Sequence, residues 1–261
     1  MMKKFLIVLI TGASMISCSK NVSSNPPESP QSHQDPPKEE KGYITGKVTD
    51  MKGNPMAGAK VYIDNTIFYN SGISTTTDAN GKYRIKGEQG AYRAYAEMTT
   101  TFNNHPFKIQ FHPDNYDAFS GEEGAVRNFQ WKLTGEKPFN PGVYYGGYAT
   151  LSKDPGGEMY DAENIEFTFT PVGNLIDGSA GSAVVKSCGA PYSPSYYYVM
   201  DIPIGRYMVS AVYKPTGRPV KLRDGRNFDD PFTETVTLDF YGEDAPLGAP
   251  NNMYIQFSDV Q

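Results

Sequence analysis

A chain of 261 residues, of which 38% are hydrophobic and 20% charged, has apolar content for a real core and length for two domains of about 100–130 residues each. Its formal charge of −5 excludes a non-specific nucleic-acid binder, which needs a net basic footprint. The 19 Tyr, 14 Phe, 26 Gly and 20 Pro favour strands and turns over helices, so the expected class is all-β.

The chain opens with the basic pair Lys3-Lys4, followed by the apolar run Phe5-Leu-Ile-Val-Leu-Ile10. That run is too short to span a bilayer and leads to the small-residue exit Ser14-Met-Ile-Ser17 before Cys18, which is the layout of an export signal. Residues 1–17 are therefore expected to be a signal peptide. Met15-Ile16-Ser17-Cys18 resembles the lipobox of bacterial lipoproteins, with Met15 standing where Leu is commoner. The resemblance implies cleavage before Cys18 and lipidation of its sulfur and new amino group. Two or three acyl chains give stable anchoring where one holds only marginally. The other cysteine, Cys188, then has no intramolecular disulfide partner. It reads as a partly buried small thiol rather than a nucleophile.

Residues 18–41 include SKNVSSNPPESPQSHQDPPKEE, which is rich in Pro and nearly devoid of apolar side chains. Such a segment cannot bury a core, so a disordered, partly polyproline II tether is expected. At ~3 Å per residue its reach is on the order of 60–70 Å. The segment after Cys18, Ser19-Lys-Asn-Val-Ser23, lacks the acidic run that surface-export signals of Bacteroidetes lipoproteins look like. Outer-membrane anchoring facing the periplasm and anchoring exposed at the surface therefore both stay open.

A first folded domain is expected over residues 42–135. Tyr43, Thr45, Lys47 and Thr49 alternate with Ile44, Gly46 and Val48, the period of a half-buried strand. Gly53-Asn-Pro-Met-Ala-Gly58 supplies a turn, after which Val61 and Ile63 face the core. Asp78-Ala-Asn-Gly81 reads as a hairpin tip, since Asn-Gly accepts positive φ and the loop lacks the carboxylates of a calcium site. Tyr92, Ala94 and Ala96 share a face of the next strand, and Phe129, Trp131 and Leu133 share a face of the last. His105 and His112 carry no metal-binding spacing.

Taken together, Ile44-Thr-Gly-Lys-Val-Thr-Asp50, Gly53-Asn-Pro-Met-Ala-Gly-Ala-Lys-Val61, Thr77-Asp-Ala-Asn-Gly-Lys-Tyr83 and Gly90-Ala-Tyr92 resemble the carboxypeptidase regulatory-like, transthyretin-like (prealbumin-type) β-sandwich. The resemblance implies a seven-stranded Greek-key sandwich that serves as an accessory module beside enzymes, on adhesins and on outer-membrane transporters. It implies no peptidase activity, because the zinc carboxypeptidase domain that gives the family its name is not in the sequence.

The boundary Glu136-Lys-Pro-Phe-Asn-Pro-Gly142 introduces a second domain over residues 136–261. Gly146-Gly-Tyr-Ala-Thr-Leu151 and Ile165-Glu-Phe-Thr-Phe-Thr-Pro171 read as strands, and residues 197–209 as a hairpin. Asp201-Ile-Pro-Ile-Gly-Arg-Tyr207 looks like a corner of the same family and the counterpart of Gln89-Gly-Ala-Tyr92. The expected architecture is thus two antiparallel Greek-key β-sandwich domains in tandem, after a signal peptide and a disordered linker.

No catalytic constellation is assembled by these motifs. Gly178-Ser-Ala-Gly-Ser182 departs from a nucleophile elbow. The pairs Glu122-Glu123 and Asp229-Asp230 lie in loops where solvation explains them. No cofactor or metal is implied. Two tyrosine groups remain as candidate binding residues: Tyr144, Tyr145 and Tyr148 near the boundary, and Tyr192, Tyr196 and Tyr198 near the second hairpin. A tyrosine joins an apolar ring to a polar tip, which suits sugar stacking or protein contact. The expected function is a non-enzymatic cell-envelope lipoprotein. Its partners would be the membrane, through Cys18, and an envelope protein or a glycan. The alternative is a hydrolase acting on glycan or peptide through loop carboxylates.

Overall fold

The structure is a computed structural model that describes residues 39–68 and 71–260. The signal peptide, Cys18 and nearly all of the tether lie outside the described residues. The folded part has already begun at Glu40, whose carbonyl accepts from the Tyr43 amide at 3.0 Å and whose carboxylate holds Arg84 through two hydrogen bonds of 2.7 and 2.9 Å.

Residues 43–130 form ten strands. They are β1 (Tyr43–Thr49), β2 (Lys60–Asn65), β3 (Ile73–Thr76), β4 (Lys82–Lys86), β5 (Ala91–Phe102), β6 (His105–Gln110), β7 (His112–Pro113), β8 (Phe119–Ser120), β9 (Ala125–Val126) and β10 (Phe129–Gln130). One sheet has the order β4-β1-β10-β7 with β9 also on β1, and the other β3-β2-β5-β6 with β8 on β5. Ile44, Val48, Val61, Ile63, Ala94, Ala96 and Phe129 all point between the sheets, where each is nearly or fully buried. These are the positions that the period-two alternation selects. Trp131 joins them at 9% exposure, edge-on to Phe111.

A short hairpin of β11 (Glu136–Lys137) and β12 (Asn140–Tyr144) leads to the remaining strands. These are β13 (Gly147–Lys153), β14 (Ile165–Pro171), β15 (Val184–Lys186), β16 (Tyr198–Ile202), β17 (Arg206–Tyr213), β18 (Arg218–Asp224), β19 (Thr235–Asp239) and β20 (Asn252–Ser258). Strand β18 pairs with β17 through its first three residues and with β20 through its last four. It thereby links β16-β13-β20 to β15-β14-β17, and the eight strands fold over a core that includes Phe167, Phe169, Tyr207 and Phe257. Among the described residues the helical pieces are two three-residue 3-10 turns, and no helix is long and apolar enough to cross a membrane.

The two sets of strands share one connectivity. The first strand of each, β1 or β13, pairs antiparallel with the fourth, β4 or β16. The fifth, β5 or β17, lies between the second and the sixth. Each set also closes by laying its last strand parallel to its first, as β9 and β10 on β1 and as β20 on β13. The architecture is all-β, as the composition leads one to expect, with these parallel pairs set into otherwise antiparallel ladders. Alternation defines the faces of a strand and carries no information on the direction of its neighbour. Both corners before the fifth strand are tied by a tyrosine hydroxyl. Tyr92 donates to the Gln89 carbonyl at 3.3 Å and Tyr207 to the Pro203 carbonyl at 2.7 Å.

Asp78-Ala-Asn-Gly81 is not a hairpin tip. It carries the chain from β3 in one sheet to β4 in the other, and those two strands do not pair. Asp78 Oδ1 accepts from the amides of Asn80 (2.9 Å) and Lys82 (2.8 Å), and Gly81 sits at φ +68 with its carbonyl receiving the Val48 amide. An Asx turn with a glycine in the left-handed region serves a sheet-to-sheet crossing as well as a hairpin, so local sequence does not separate the two. Residues 197–209 correct the hairpin expectation in the same way, because β16 and β17 lie in different ladders.

Among the described residues, no ladder pairs a strand ending by Gln130 with one beginning after Glu136. Side chains and turns bring the two sets together instead. Asn103 Nδ2 donates to Asp239 at 2.7 Å, His105 Nδ1 lies 2.9 Å from Asp244, and the Glu243 amide donates to the Pro106 carbonyl at 2.6 Å. Asp201, held at φ +60, receives the Gly135 amide on both carboxylate oxygens and the Gly146 amide on one. Asp201→Ala removes the acceptor for two amides and leaves an alanine in a left-handed conformation. A loss of about 2–3 kcal/mol is expected in thermal or denaturant unfolding. Asp201→Asn keeps one oxygen and tolerates the conformation, so it should lose less.

Candidate binding face

On β13 the residues Gly147, Ala149 and Leu151 are buried, so Tyr148 and Thr150 face outward. On β20 Met253 and Ile255 are buried, so Tyr254 faces outward too. Register then builds a row: Thr150 lies opposite Tyr198 on one side and Tyr254 on the other. The rings of Tyr148 and Tyr198 stand 5.9 Å apart edge to face, and those of Tyr254 and Tyr241 6.0 Å apart. His105 continues the row against Tyr241 at 5.0 Å. Burial, with Tyr254 and Tyr198 adding to it, holds the Tyr148 hydroxyl above its ordinary pKa, so it stays a neutral donor and acceptor.

The row borders a groove of about 570 Å³, whose lining includes Val143, Tyr144, Tyr148, Met200, Pro250 and Asn251. Lys108 reaches the same space from the first set of strands, and Lys137 and Glu243 line it from the second. The lysines are engaged: Lys137 Nζ donates to Gln110 Oε1 at 2.7 Å and Lys108 pairs with Glu97 at 3.5 Å. Burial also pulls the Lys137 ammonium below its usual range. Asn251, at φ +58, has a buried Oδ1 with no hydrogen-bond donor among the described residues.

The six tyrosines singled out from the sequence separate into three groups. Tyr144 and Tyr148 line the groove, and Tyr198, 38% exposed, stands against Tyr148. Tyr145 is buried, with its hydroxyl 3.1 Å from His112 Nδ1 and its ring edge-on to the imidazole, so it fastens the join rather than meeting a ligand. Burial raises its pKa and lowers that of His112. Tyr196 turns its hydroxyl to the Tyr160 carbonyl at 3.1 Å, and Tyr192 stands wholly in solvent at φ +67. Tyr241 and Tyr254 escape the sequence reading, although Tyr254 alternates with the buried Met253 and Ile255, a signal that places it on an outer face.

Of the loop carboxylates, Glu122 and Glu123 are exposed between β8 and β9, and Asp229 and Asp230 are exposed between β18 and β19. The carboxylate lining the groove is Glu243 alone among the described residues. Cys188 is buried, and burial pushes its thiol up. No group of three or more His, Cys, Asp or Glu residues capable of holding a metal occurs among the described residues.

Residues 43–103, which carry β1 to β5, match the carboxypeptidase regulatory-like domain. A 52-residue stretch is 48% identical to the viral Structural protein 27 (isolate Australia/Victoria), covering 20% of this chain and 9% of that protein. Among solved structures, the Bacillus anthracis TIE protein is similar over 84% of this chain and 34% of its own, with 13% identity and a TM-score of 0.32. BcpA, the major pilin subunit of Bacillus cereus, is similar over 84% of this chain and all of its own (100%), with 10% identity and a TM-score of 0.23. The chain thus spans a small fraction of the curated relative and about a third of the Bacillus anthracis protein.

Proposed function

We propose that the protein is a lipid-anchored accessory module of the cell envelope that binds a partner, protein or glycan, and performs no catalysis of its own. In this reading residues 1–17 are removed, Cys18 carries the lipid, and the chain from there to Glu39 forms the tether, which ends where Glu40 binds Arg84. Residues 42–135 and 136–261 act as two sandwich modules, held at the outer membrane on its periplasmic or its outer side. The observation that carries the reading is the groove at the join, bordered by Tyr144, Tyr148 and Tyr198. Aromatic rings with polar tips are what a recognition surface uses. A hydrolase of the two-carboxylate kind needs a second acid converging on the first, whereas Glu243 is the single carboxylate on the groove lining among the described residues.

Anchoring is tested by fractionation. Cys18→Ala should move the protein from the membrane fraction to the soluble fraction or leave it as an unprocessed precursor. A mature protein that stays with membranes after this change would end the lipoprotein reading. Binding is tested by cross-linking from Tyr148 in intact cells, where loss of the adduct in Tyr148→Ala is the expected result.

A further inference from the structure

We propose that the ligand of the tyrosine row is a neutral glycan chain lying across Tyr198, Tyr148 and the groove toward Asn251; this rests on the binding-module reading above. Three observations select that chemistry. First, Tyr148, Thr150 and Tyr254 lie on β13 and β20, each of which is flanked by hydrogen-bonded strands on both sides, while Tyr198 lies on the end strand β16. A peptide that binds by adding a strand needs a free edge, and the middle of a sheet offers only side-chain faces and tips. Rings and hydroxyls on a flat surface suit the apolar faces and hydroxyl rims of sugars.

Second, the charges at the groove balance, Lys108 and Lys137 standing with Glu243 and with the Glu97 that pairs with Lys108, and a further cation, Arg226, lies over the Tyr254 ring at 5.2 Å. Lys108 is paired with Glu97, Lys137 is engaged by Gln110, and the Glu243 carboxylate is exposed with no hydrogen bond or ion pair from its side chain among the described residues. An acidic polymer would meet Glu243 and find no uncommitted ammonium there, so the complementary ligand is uncharged. Third, Asn251, which lines the groove, has a side-chain Oδ1 that is buried and has no hydrogen-bond donor among the described residues. A buried carbonyl oxygen without a donor is costly, and a sugar hydroxyl in the groove supplies one when the Asn251 side chain turns toward it. The hydroxyls of Tyr148 and Tyr198 likewise make no hydrogen bond among the described residues and stay available to the rim of a sugar.

The test is affinity electrophoresis of the full chain in a polyoxyethylene detergent, which presents no sugar headgroup. Native gels would contain a soluble α-glucan, a mixed-linkage β-glucan, a galactomannan or polygalacturonate. At least one neutral polymer should retard the protein and the acidic one should not. Tyr148→Ala and Tyr198→Ala should each weaken the retardation by roughly tenfold. Val185→Ser, on the exposed edge of β15, should leave it unchanged. Unaltered Trp131 fluorescence and circular dichroism would show that the variants are folded.

No retardation by any neutral polymer, retardation by polygalacturonate alone, or retardation indifferent to both tyrosines overturns the proposal. A Tyr148-dependent protein adduct in cells combined with no retardation removes the glycan and leaves the binding module standing. Absence of both removes the two together.

Discussion

Tyr207→Ala should cost about 3–5 kcal/mol, enough to unfold most of the second set of strands at moderate temperature. The side chain is fully buried between Phe169, at 6.0 Å, and Phe240, at 6.3 Å, with both rings nearly perpendicular to its own. Its truncation would open a cavity at the centre of the core, and strands on both sides hold that space open. Tyr207→Phe is the informative companion. It keeps the ring and removes only the hydroxyl that donates to the Pro203 carbonyl, so a loss of about 1 kcal/mol is expected. Urea unfolding followed by far-ultraviolet circular dichroism would separate the two. Equal effects would mean that the corner bond, rather than packing, is what matters at this position.

Gly46→Ala should be as damaging to the first set, by about 3 kcal/mol or more. A Cβ built on Gly46 would stand 1.8 Å from the Arg127 carbonyl oxygen and 2.8 Å from the Tyr83 ring. The backbone comes this close because the last strand breaks into β9 and β10 beside β1, with the Arg127 amide donating to Thr45 between the two pieces. The obstacle is main chain held in two ladders, so it cannot rotate aside as a long side chain would. Trp131, the single tryptophan, is buried in this half and reports its unfolding by fluorescence. A Gly46→Ala protein whose Trp131 transition matches that of the parent would refute the steric account.

Gly46 also marks where reading the sequence succeeds and where it stops. Its alternation with Ile44 and Val48 puts it on the inner face of β1, and the burial of all three agrees. Nothing near it in sequence says that residue 127 will lie against it, because that approach depends on a parallel pairing some 80 residues distant, as Val48 with Phe129. The crossing at Asp78-Ala-Asn-Gly81 eludes local reading for a related reason: side chains within four residues determine a turn, and distant partners determine which sheet its exit joins. The binding face is the extreme case. Tyr148 and Tyr198 are visible as two separate clusters 50 residues apart, and only the β13–β16 register makes them neighbours. Tyr145 shows the converse, being adjacent to Tyr144 in sequence yet turned inward to His112.

The closing parallel pairs give each half a mechanical character. In β13 and β20 six consecutive residue pairs, from Tyr148 with Asn252 to Lys153 with Phe257, run side by side in the same direction. The entry to β13 and the exit of β20 therefore lie at opposite ends of one ladder. A pull between those ends drags one strand lengthwise along the other, so every hydrogen bond of the ladder is loaded at once instead of opening one after another from a free end. The entry of β1 and the exit of β10 stand in the same relation. Tension entering at the start of either half and leaving at its end meets the ladder in shear, the direction in which a β-sheet yields last.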